Sequence, residues 1–176
     1  DLKDLRDRLG YVPQKGILFS GTIDSNLRYG RKEASSEEVE KAAQVAQALT
    51  FIREKEDGMD APIAQGGTNV SGGQKQRLSI ARAIARNPEI YIFDDSFSAL
   101  DYKTDATLRK ALKEYTKDAT TLIVAQRIST ILHADQILVL DDGVVVGKGT
   151  HKELLKSCEV YQQIARSQLS EEELEA

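Results

Sequence analysis

Two neighbouring segments limit what this chain can fold into. Residues 71–77 read SGGQKQR and open a helical pattern, so a glycine-rich turn leads directly into a helix. Such a turn lets the backbone approach a ligand closely, and the N–H groups of the first helical turn attract anions. Residues 90–95 read IYIFDD, an apolar run typical of a buried strand, ending in two carboxylates that suit Mg²⁺. The pair predicts a protein that binds phosphate and a metal ion.

The rest of the chain alternates between strand and helix patterns. Capping boxes are predicted at Ser35 and Thr150, and a hairpin turn is predicted at 141–143. This alternation predicts an α/β fold with a parallel sheet, and the long helical insert after the first strand predicts a helical subdomain. The expected elements are strands at 9–12, 89–93 and 121–125 (the last two buried), helices at 35–49, 71–87, 102–117 and 154–167, loops at 14–26 and 61–69, and a frayed acidic tail at 170–176.

Composition narrows the classes of function. The 176 residues amount to about one domain, and 40% hydrophobic with 30% charged residues is typical of a soluble globular protein. No apolar run approaches the roughly 18 residues of a membrane helix, and no secretion signal is visible. The net charge of -4 and the isoelectric point of about 5.3 argue against nucleic acid as a partner. The single cysteine, Cys158, excludes an internal disulfide.

The motifs together resemble a known family. Residues 98–101, SALD, follow the two carboxylates. The order of the three segments is similar to the signature motif, Walker B strand and D-loop of an ATP-binding cassette (ABC) nucleotide-binding domain. The resemblance implies ATP and Mg²⁺ as cofactors. It also implies a truncated P-loop NTPase-like parallel sheet with an α-helical signature subdomain, because no G-x-x-x-x-G-K-[ST] occurs in these residues.

The resemblance covers nearly the whole chain and assigns residues 1–176 to a partial ABC ATPase domain. Within it, about 14–87 would form the Q-loop and helical subdomain. About 88–167 would form the Walker B strand, D-loop, switch segment and C-terminal helices, followed by an acidic tail at 168–176. The stretch at 14–30 resembles an exporter-type Q-loop. This implies transmembrane domains upstream in a longer chain and a location at the cytoplasmic face of the plasma or inner membrane.

The same resemblance gives roles to single residues. The nucleotide-contacting residues would be Gln14, Ser71, Gly72, Gly73, Gln74 and Asp101. Asp94 and Gln14 would hold Mg²⁺, and Asp95 and Gln126 would occupy the catalytic positions. Simpler interpretations exist: the SGG sequence could be a capped turn, Asp94 a helix N-cap or a solvated strand end, and Gln14 an ordinary loop residue.

Two residues depart from the family pattern at the catalytic positions. Asp95 stands where the family has a glutamate that polarises the attacking water, and its carboxylate is retracted by about 1.5 Å, one C–C bond. Because a misplacement of about 1 Å can cost on the order of 100-fold in rate, Asp95 is expected to be a poor base. Gln126 stands where the family has histidine, and glutamine cannot become an imidazolium. His133 and His151 lie elsewhere in the sequence and cannot substitute for it.

These departures predict one half of a heterodimeric ABC exporter. Two such domains dock head to tail, so Asp95 and Gln126 would share a degenerate ATP site. The signature, with Val70 in place of the usual leucine, would complete the partner's site. A homodimeric exporter with slow turnover and a non-transport, ABC-type structural ATPase are the alternatives. The 176 residues by themselves are expected to be inactive and to bind ATP weakly or not at all, because they lack the P-loop.

Overall fold

The computed structural model describes residues 1–171 and Leu174. The chain divides into two compact units, Asp1–Val124 and Ala125–Ala176. Most of the acidic tail predicted to fray lies outside the described residues. Within the described part of the chain, no helix combines the length and the apolar character needed to cross a bilayer.

Helices and short strands alternate along the first unit. In chain order they are α1 (Leu2–Asp7), β1 (Leu9–Val12), β2 (Gly21–Thr22), α2 (Ile23–Leu27), α3 (Ser36–Val45), α4 (Leu49–Arg53), β3 (Pro62–Ile63), α5 (Gly72–Arg86), β4 (Ile90–Asp94), α6 (Tyr102–Tyr115) and β5 (Thr120–Val124). The two-residue strands β2 and β3 pair with each other in antiparallel fashion.

The sheet of the first unit confirms the predicted α/β fold. Its strand order is β1-β4-β5, and the central strand β4 pairs in parallel with both neighbours. Side chains alternate along β4, so Tyr91 and Phe93 are buried while their neighbours are half-buried. The carboxyl ends of β1 and β4 therefore lie side by side, and this places Gln14 near Asp94 and Asp95 at one edge of the sheet.

Helix α5 is the centre of the helical part. Ser71 caps it, and Asn87 ends it in a left-handed conformation with φ 51°. Its buried face packs against α2, α3 and β1. Leu78, Ile80 and Ile84 on this face are fully buried. Each such side chain contributes about 1.5–3 kcal/mol through burial, so the position of α5 is held from several sides.

The second unit is a hairpin with helices on either side in sequence. Its elements are α7 (Ile128–Ile131), β6 (Ile137–Asp141), β7 (Val144–Gly149), α8 (His151–Ser157) and α9 (Glu159–Gln168). The hairpin predicted around 141–143 is present, and its two-residue turn at Asp142 and Gly143 has positive φ at both residues, 45° and 76°. The capping box predicted between Thr150 and Glu153 is present.

The helix predicted at 35–49 is in fact two helices. Its capping box between Ser35 and Glu38 is present, but α3 ends at Val45 and α4 begins at Leu49. Gln47 between them has φ 58°. The N–H of Gln47 bonds to the carbonyl of Gln44 and that of Ala48 to Ala43, which is the Schellman pattern of a helix end. No glycine marks this helix end in the sequence, so the apolar spacing predicted one continuous helix across it.

Three further expectations were wrong in part. The helix expected at 154–167 begins earlier and breaks at Cys158, whose extended backbone separates α8 from α9. The segments expected to be loops, 14–26 and 61–69, contain the β2–β3 pair, and the first of them also contains most of α2. Strand β5 is present, but it is not buried: Leu122 is 52% and Val124 50% exposed. β5 is an edge strand among the described residues, so it pairs with a strand on one side only.

Candidate functional site

The N-terminus of α5 is open to solvent and tightly capped. The Ser71 hydroxyl accepts a hydrogen bond from the Gln74 N–H at 3.2 Å, and the Gln74 side chain accepts one from the Ser71 N–H at 3.1 Å. The Ser71 hydroxyl keeps its own proton for donation to a ligand. A Cβ added at Gly72 would meet no atom within 4 Å, so the start of this 15-residue helix offers its N–H groups to an anion.

The segment after β4 touches the start of α5. A Cβ added at Gly73 would lie 3.5 Å from the Ala99 carbonyl oxygen, so the start of α5 and the segment 98–101 are within van der Waals distance of each other. Asp101 in that segment caps α6 by accepting a hydrogen bond from the Thr104 N–H at 3.0 Å. Hydrogen bonding to Thr104, with a smaller contribution from the Arg77 charge, holds the pKa of Asp101 below its usual value. The capping carboxylate is therefore ionised at neutral pH.

Asp94 ends β4 as a half-buried carboxylate with a tyrosine partner. The Tyr11 hydroxyl, on the adjacent strand β1, donates to Asp94 Oδ2 at 3.1 Å. This hydrogen bond is the main reason why the pKa of Tyr11 is raised. The contact occupies one oxygen of the carboxylate and fixes the direction of the other. Sequence reasoning missed Tyr11, although its place as the penultimate residue of the strand predicted at 9–12 was visible.

Asp95 leaves the strand in an unusual backbone conformation. Its φ is 47°, in the left-handed region, and its N–H donates to the Val124 carbonyl at 2.8 Å. The Ser98 hydroxyl donates to the Asp95 carbonyl at 3.0 Å. The Asp95 side chain accepts a hydrogen bond from Gln14 Nε2 at 3.0 Å, across 81 positions of sequence. The structure thus brings together two residues that the sequence analysis had assigned to one site.

A buried glutamine holds the turn that carries Gln14. Gln76 of α5 is 2% exposed. Its Oε1 accepts from the Gly16 N–H at 2.9 Å, and its Nε2 donates to the Pro13 carbonyl at 3.2 Å. We call residues 13–16 the Gln14 turn. Sequence reasoning did not assign Gln76 a role, although an amide on the buried face of an amphipathic helix is a signal of a specific polar partner.

Gln126 lies in the second unit. It is exposed, and its carbonyl accepts a hydrogen bond from Gln168 Nε2 at 2.9 Å. Gln168 Oε1 also accepts from the Ile128 N–H at 2.8 Å, so this one side chain of α9 bonds to the backbone of both Gln126 and Ile128 at the start of α7. The pairing of Gln126 with Asp95 in one site remains a prediction.

The residues at the end of β4 fit Mg²⁺. Asp94 offers a carboxylate oxygen. The amide nitrogen of Gln14 faces Asp95, and its amide oxygen is of a type that can bind a metal ion. Within residues 1–171 and Leu174, no group of three or more His, Cys, Asp or Glu side chains is arranged to hold a metal. Mg²⁺ takes one or two protein carboxylates and fills its other positions with water and phosphate oxygens.

Comparison with known proteins decides the family. The ABC transporter family model matches residues 1–98, more than half of the chain. This chain belongs to the ABC transporter family. Its sheet, helical part and motif order are those of an ABC ATP-binding domain, as the resemblance implied.

Relatives of this ABC chain are longer proteins. YfiB, an uncharacterized ABC transporter ATP-binding protein of Bacillus subtilis (strain 168), is 49% identical over 168 residues, 96% of this chain and 29% of the relative. A putative multidrug export ATP-binding/permease protein of Staphylococcus aureus (strain NCTC 8325 / PS 47) is 46% identical over 160 residues, covering 91% of this chain and 28% of that protein. The structure of a bacterial Atm1-family ABC exporter with ATP bound matches with a TM-score of 0.91 at 40% identity, covering 96% of this chain and 30% of that one. The chain therefore spans less than a third of these relatives.

Proposed function

We propose that this chain is part of the ATP-binding domain of an ABC exporter and that it forms the weaker of two ATP sites. The observation that carries the proposal is the contact of Gln14 with Asp95 beside Asp94, at the carboxyl end of the central strand. An aspartate, not a glutamate, follows Asp94 at the sheet edge that we propose binds Mg²⁺. ATP and Mg²⁺ are the proposed cofactors.

Asp95 and Gln126 are the reasons for calling the site weak. The backbone of Asp95 is fixed by hydrogen bonds to Val124 and Ser98, so it cannot advance to make up for its shorter side chain. Gln126 can donate a hydrogen bond to a phosphate, but it cannot carry a proton away. A site with both residues is suited to binding ATP and hydrolysing it slowly.

The start of α5 supports a second role, in the partner's site. Ser71 and Gly72 are exposed, and Ser71, Gly73 and Gln74 keep the residue types of the signature. In the proposed head-to-tail dimer these residues, with Asp101, would contact the γ-phosphate bound by a non-identical half-transporter. Transmembrane domains upstream in the same longer chain would hold the assembly at the cytoplasmic face of the membrane. Exporter relatives and the ATP-bound structural match support the membrane-associated exporter part of this proposal.

Steady-state ATP hydrolysis tests the proposal. The full-length protein would be measured alone and together with the half-transporter proposed as its partner. We expect activity only in the mixture, lost when the partner's catalytic glutamate is replaced and kept, within about twofold, in Asp95→Asn of this chain. Comparable activity from this protein alone, abolished by Asp95→Asn, would contradict the weak site and favour a homodimer in which Asp95 and Gln126 are working catalytic residues.

A further inference from the structure

The Gln14 turn lies directly on the backbone of α5. A Cβ added at Gly16 would come within 2.7 Å of Ser79 Oγ, 3.0 Å of Gln76 Oε1 and 3.1 Å of the Lys75 carbonyl oxygen. A side chain there would force Ser79 Oγ to shift and would crowd the Lys75 carbonyl oxygen, so the absence of a side chain at Gly16 lets the turn lie this close to the helix. Gln76 then bonds to both the Gly16 N–H and the Pro13 carbonyl.

The residue before the turn is also fixed. Ser96, fully buried after β4, donates its hydroxyl hydrogen bond to the Val12 carbonyl at 2.8 Å. With Val12 held by Ser96, and Pro13 and Gly16 held by Gln76, the turn is tied at both ends. Gln14 is exposed near its tip, and its amide reaches the carboxylate of Asp95.

We propose that Gln76 is a positioning residue that sets the direction of Gln14 toward Asp95 and makes the Gln14 turn move with α5. The inference rests on the proposed function, since Gln14 matters for nucleotide only if the site binds Mg²⁺ and ATP. Gln76 itself touches neither. It acts through the turn, and because α5 begins at Ser71, the same hydrogen bonds link this chain's own site to the signature offered to the partner.

The physical basis is the cost of an unpaired buried polar group. Replacement of Gln76 by methionine keeps the length and volume of the side chain but removes both the acceptor for the Gly16 N–H and the donor to the Pro13 carbonyl. These backbone groups then gain partners only if the turn moves outward toward water. Gln14 would move with it, away from Asp95.

The chain offers a matched control at Asn26. This amide is 1% exposed and holds the backbone of Phe19, accepting from its N–H at 2.9 Å and donating to its carbonyl at 2.8 Å. Asn26 therefore clamps the same loop by the same chemistry, three residues beyond the Gln14 turn. Asn26→Leu should disturb the loop without redirecting Gln14.

The test is a double-mutant cycle in the full-length protein, with the Mg²⁺ concentration for half-maximal ATP binding as the readout. We expect Gln76→Met and Gln14→Ala each to raise that concentration roughly fivefold or more, since even the loss of a group that only orients a metal ligand typically costs about 10–100-fold in metal affinity. The double variant should match Gln14→Ala within about twofold, because coupled residues are not additive. Asn26→Leu should leave the value within about twofold of the unmodified protein. Independent, multiplying effects of Gln76→Met and Gln14→Ala would overturn the proposal.

A second measurement separates this inference from the proposed function. Hydrogen exchange of the Gly16 amide, followed without nucleotide, reports the Gln76 contact directly. We expect exchange at Gly16 to rise about tenfold or more in Gln76→Met and to stay unchanged in Asn26→Leu. If the unmodified protein binds no Mg²⁺-ATP, the proposed function alone is refuted. If exchange at Gly16 is unchanged in Gln76→Met, the role of Gln76 in holding the Gln14 turn is refuted.

Discussion

His151 is a buried titratable residue in the second unit. It is 5% exposed, and its Nδ1 lies 2.7 Å from the Tyr161 hydroxyl. Its Nε2 is buried and makes no hydrogen bond within the described residues. Burial lowers the pKa of His151, and the nearby charges of His133 and Lys152 lower it further. The fold therefore favours the neutral imidazole.

This histidine makes the stability of the chain depend on pH. Because its pKa is lower in the folded state, the unfolded chain binds more protons between that value and the ordinary pKa of about 6.5. The stabilisation is complete above about pH 7 and is lost as the pH falls through the folded-state pKa. Denaturant unfolding at pH 7.5 and pH 5.5 should show this loss, and His151→Gln should reduce it. The exposed His133→Gln is the control, and an equal loss in His151→Gln and the unmodified chain would refute the assignment.

At the scale of the elements, the packing of the Gln14 turn on α5 depends on one missing side chain. Gly16 has no unusual φ, so its need for glycine comes from the three close atoms of α5 and not from backbone strain. Two of these atoms belong to flexible side chains, but the Lys75 carbonyl oxygen belongs to the helix backbone, so relieving that contact requires a shift of the helix or the turn. The turn and the helix therefore fit each other only at this spacing.

Gly16→Ala should lower the free energy of unfolding by about 1–3 kcal/mol, the usual cost of overpacking. Gly72→Ala is the matched control, because its added methyl group meets no atom within 4 Å and the first turn of a helix tolerates alanine. Denaturant titration of both variants would measure the difference. Equal stabilities of the two variants would show that the turn does not lie against α5 as described.

Local signals predicted the elements, while contacts distant in sequence could not be predicted. The caps at Ser35, Ser71 and Thr150 involve residues three positions apart, so their patterns are visible in the sequence. The helix end at Gln47 was missed because it uses a non-glycine residue at positive φ. The candidate site could be predicted as a set of motifs, but the pairing of Gln76 with the Gln14 turn depends on a contact across 60 positions.

At the scale of the whole chain, the sheet of the first unit has an apolar region on its surface. Leu122 and Val124 lie on one face of β5 and are each about half exposed. Parallel sheets are normally covered on both faces, and an open edge strand offers N–H and C=O groups to another chain. These two features together favour association between copies of the 176-residue polypeptide.

Sedimentation velocity of the 176-residue polypeptide should therefore show concentration-dependent self-association. The double substitution Leu122→Lys and Val124→Lys should reduce it, because charged side chains on an edge strand oppose pairing. Tyr102→Lys is the control, since Tyr102 is 76% exposed but lies at the start of α6, away from the sheet edge. A monomer at all concentrations, or an equal reduction by Tyr102→Lys, would contradict this explanation.

The left-handed backbone of Asp95 has a consequence for how such a site could change during evolution. Aspartate and asparagine enter this region at less cost than most other side chains with a Cβ, because their short polar groups bond to the nearby backbone. A glutamate at φ 47° would reach further toward a water molecule and would lack that local compensation. At the proposed catalytic position, aspartate would thus exchange catalytic reach for a less strained backbone, a trade between activity and stability. In the proposed dimer, this loss of reach would affect only the weaker ATP site, where rapid hydrolysis is not required.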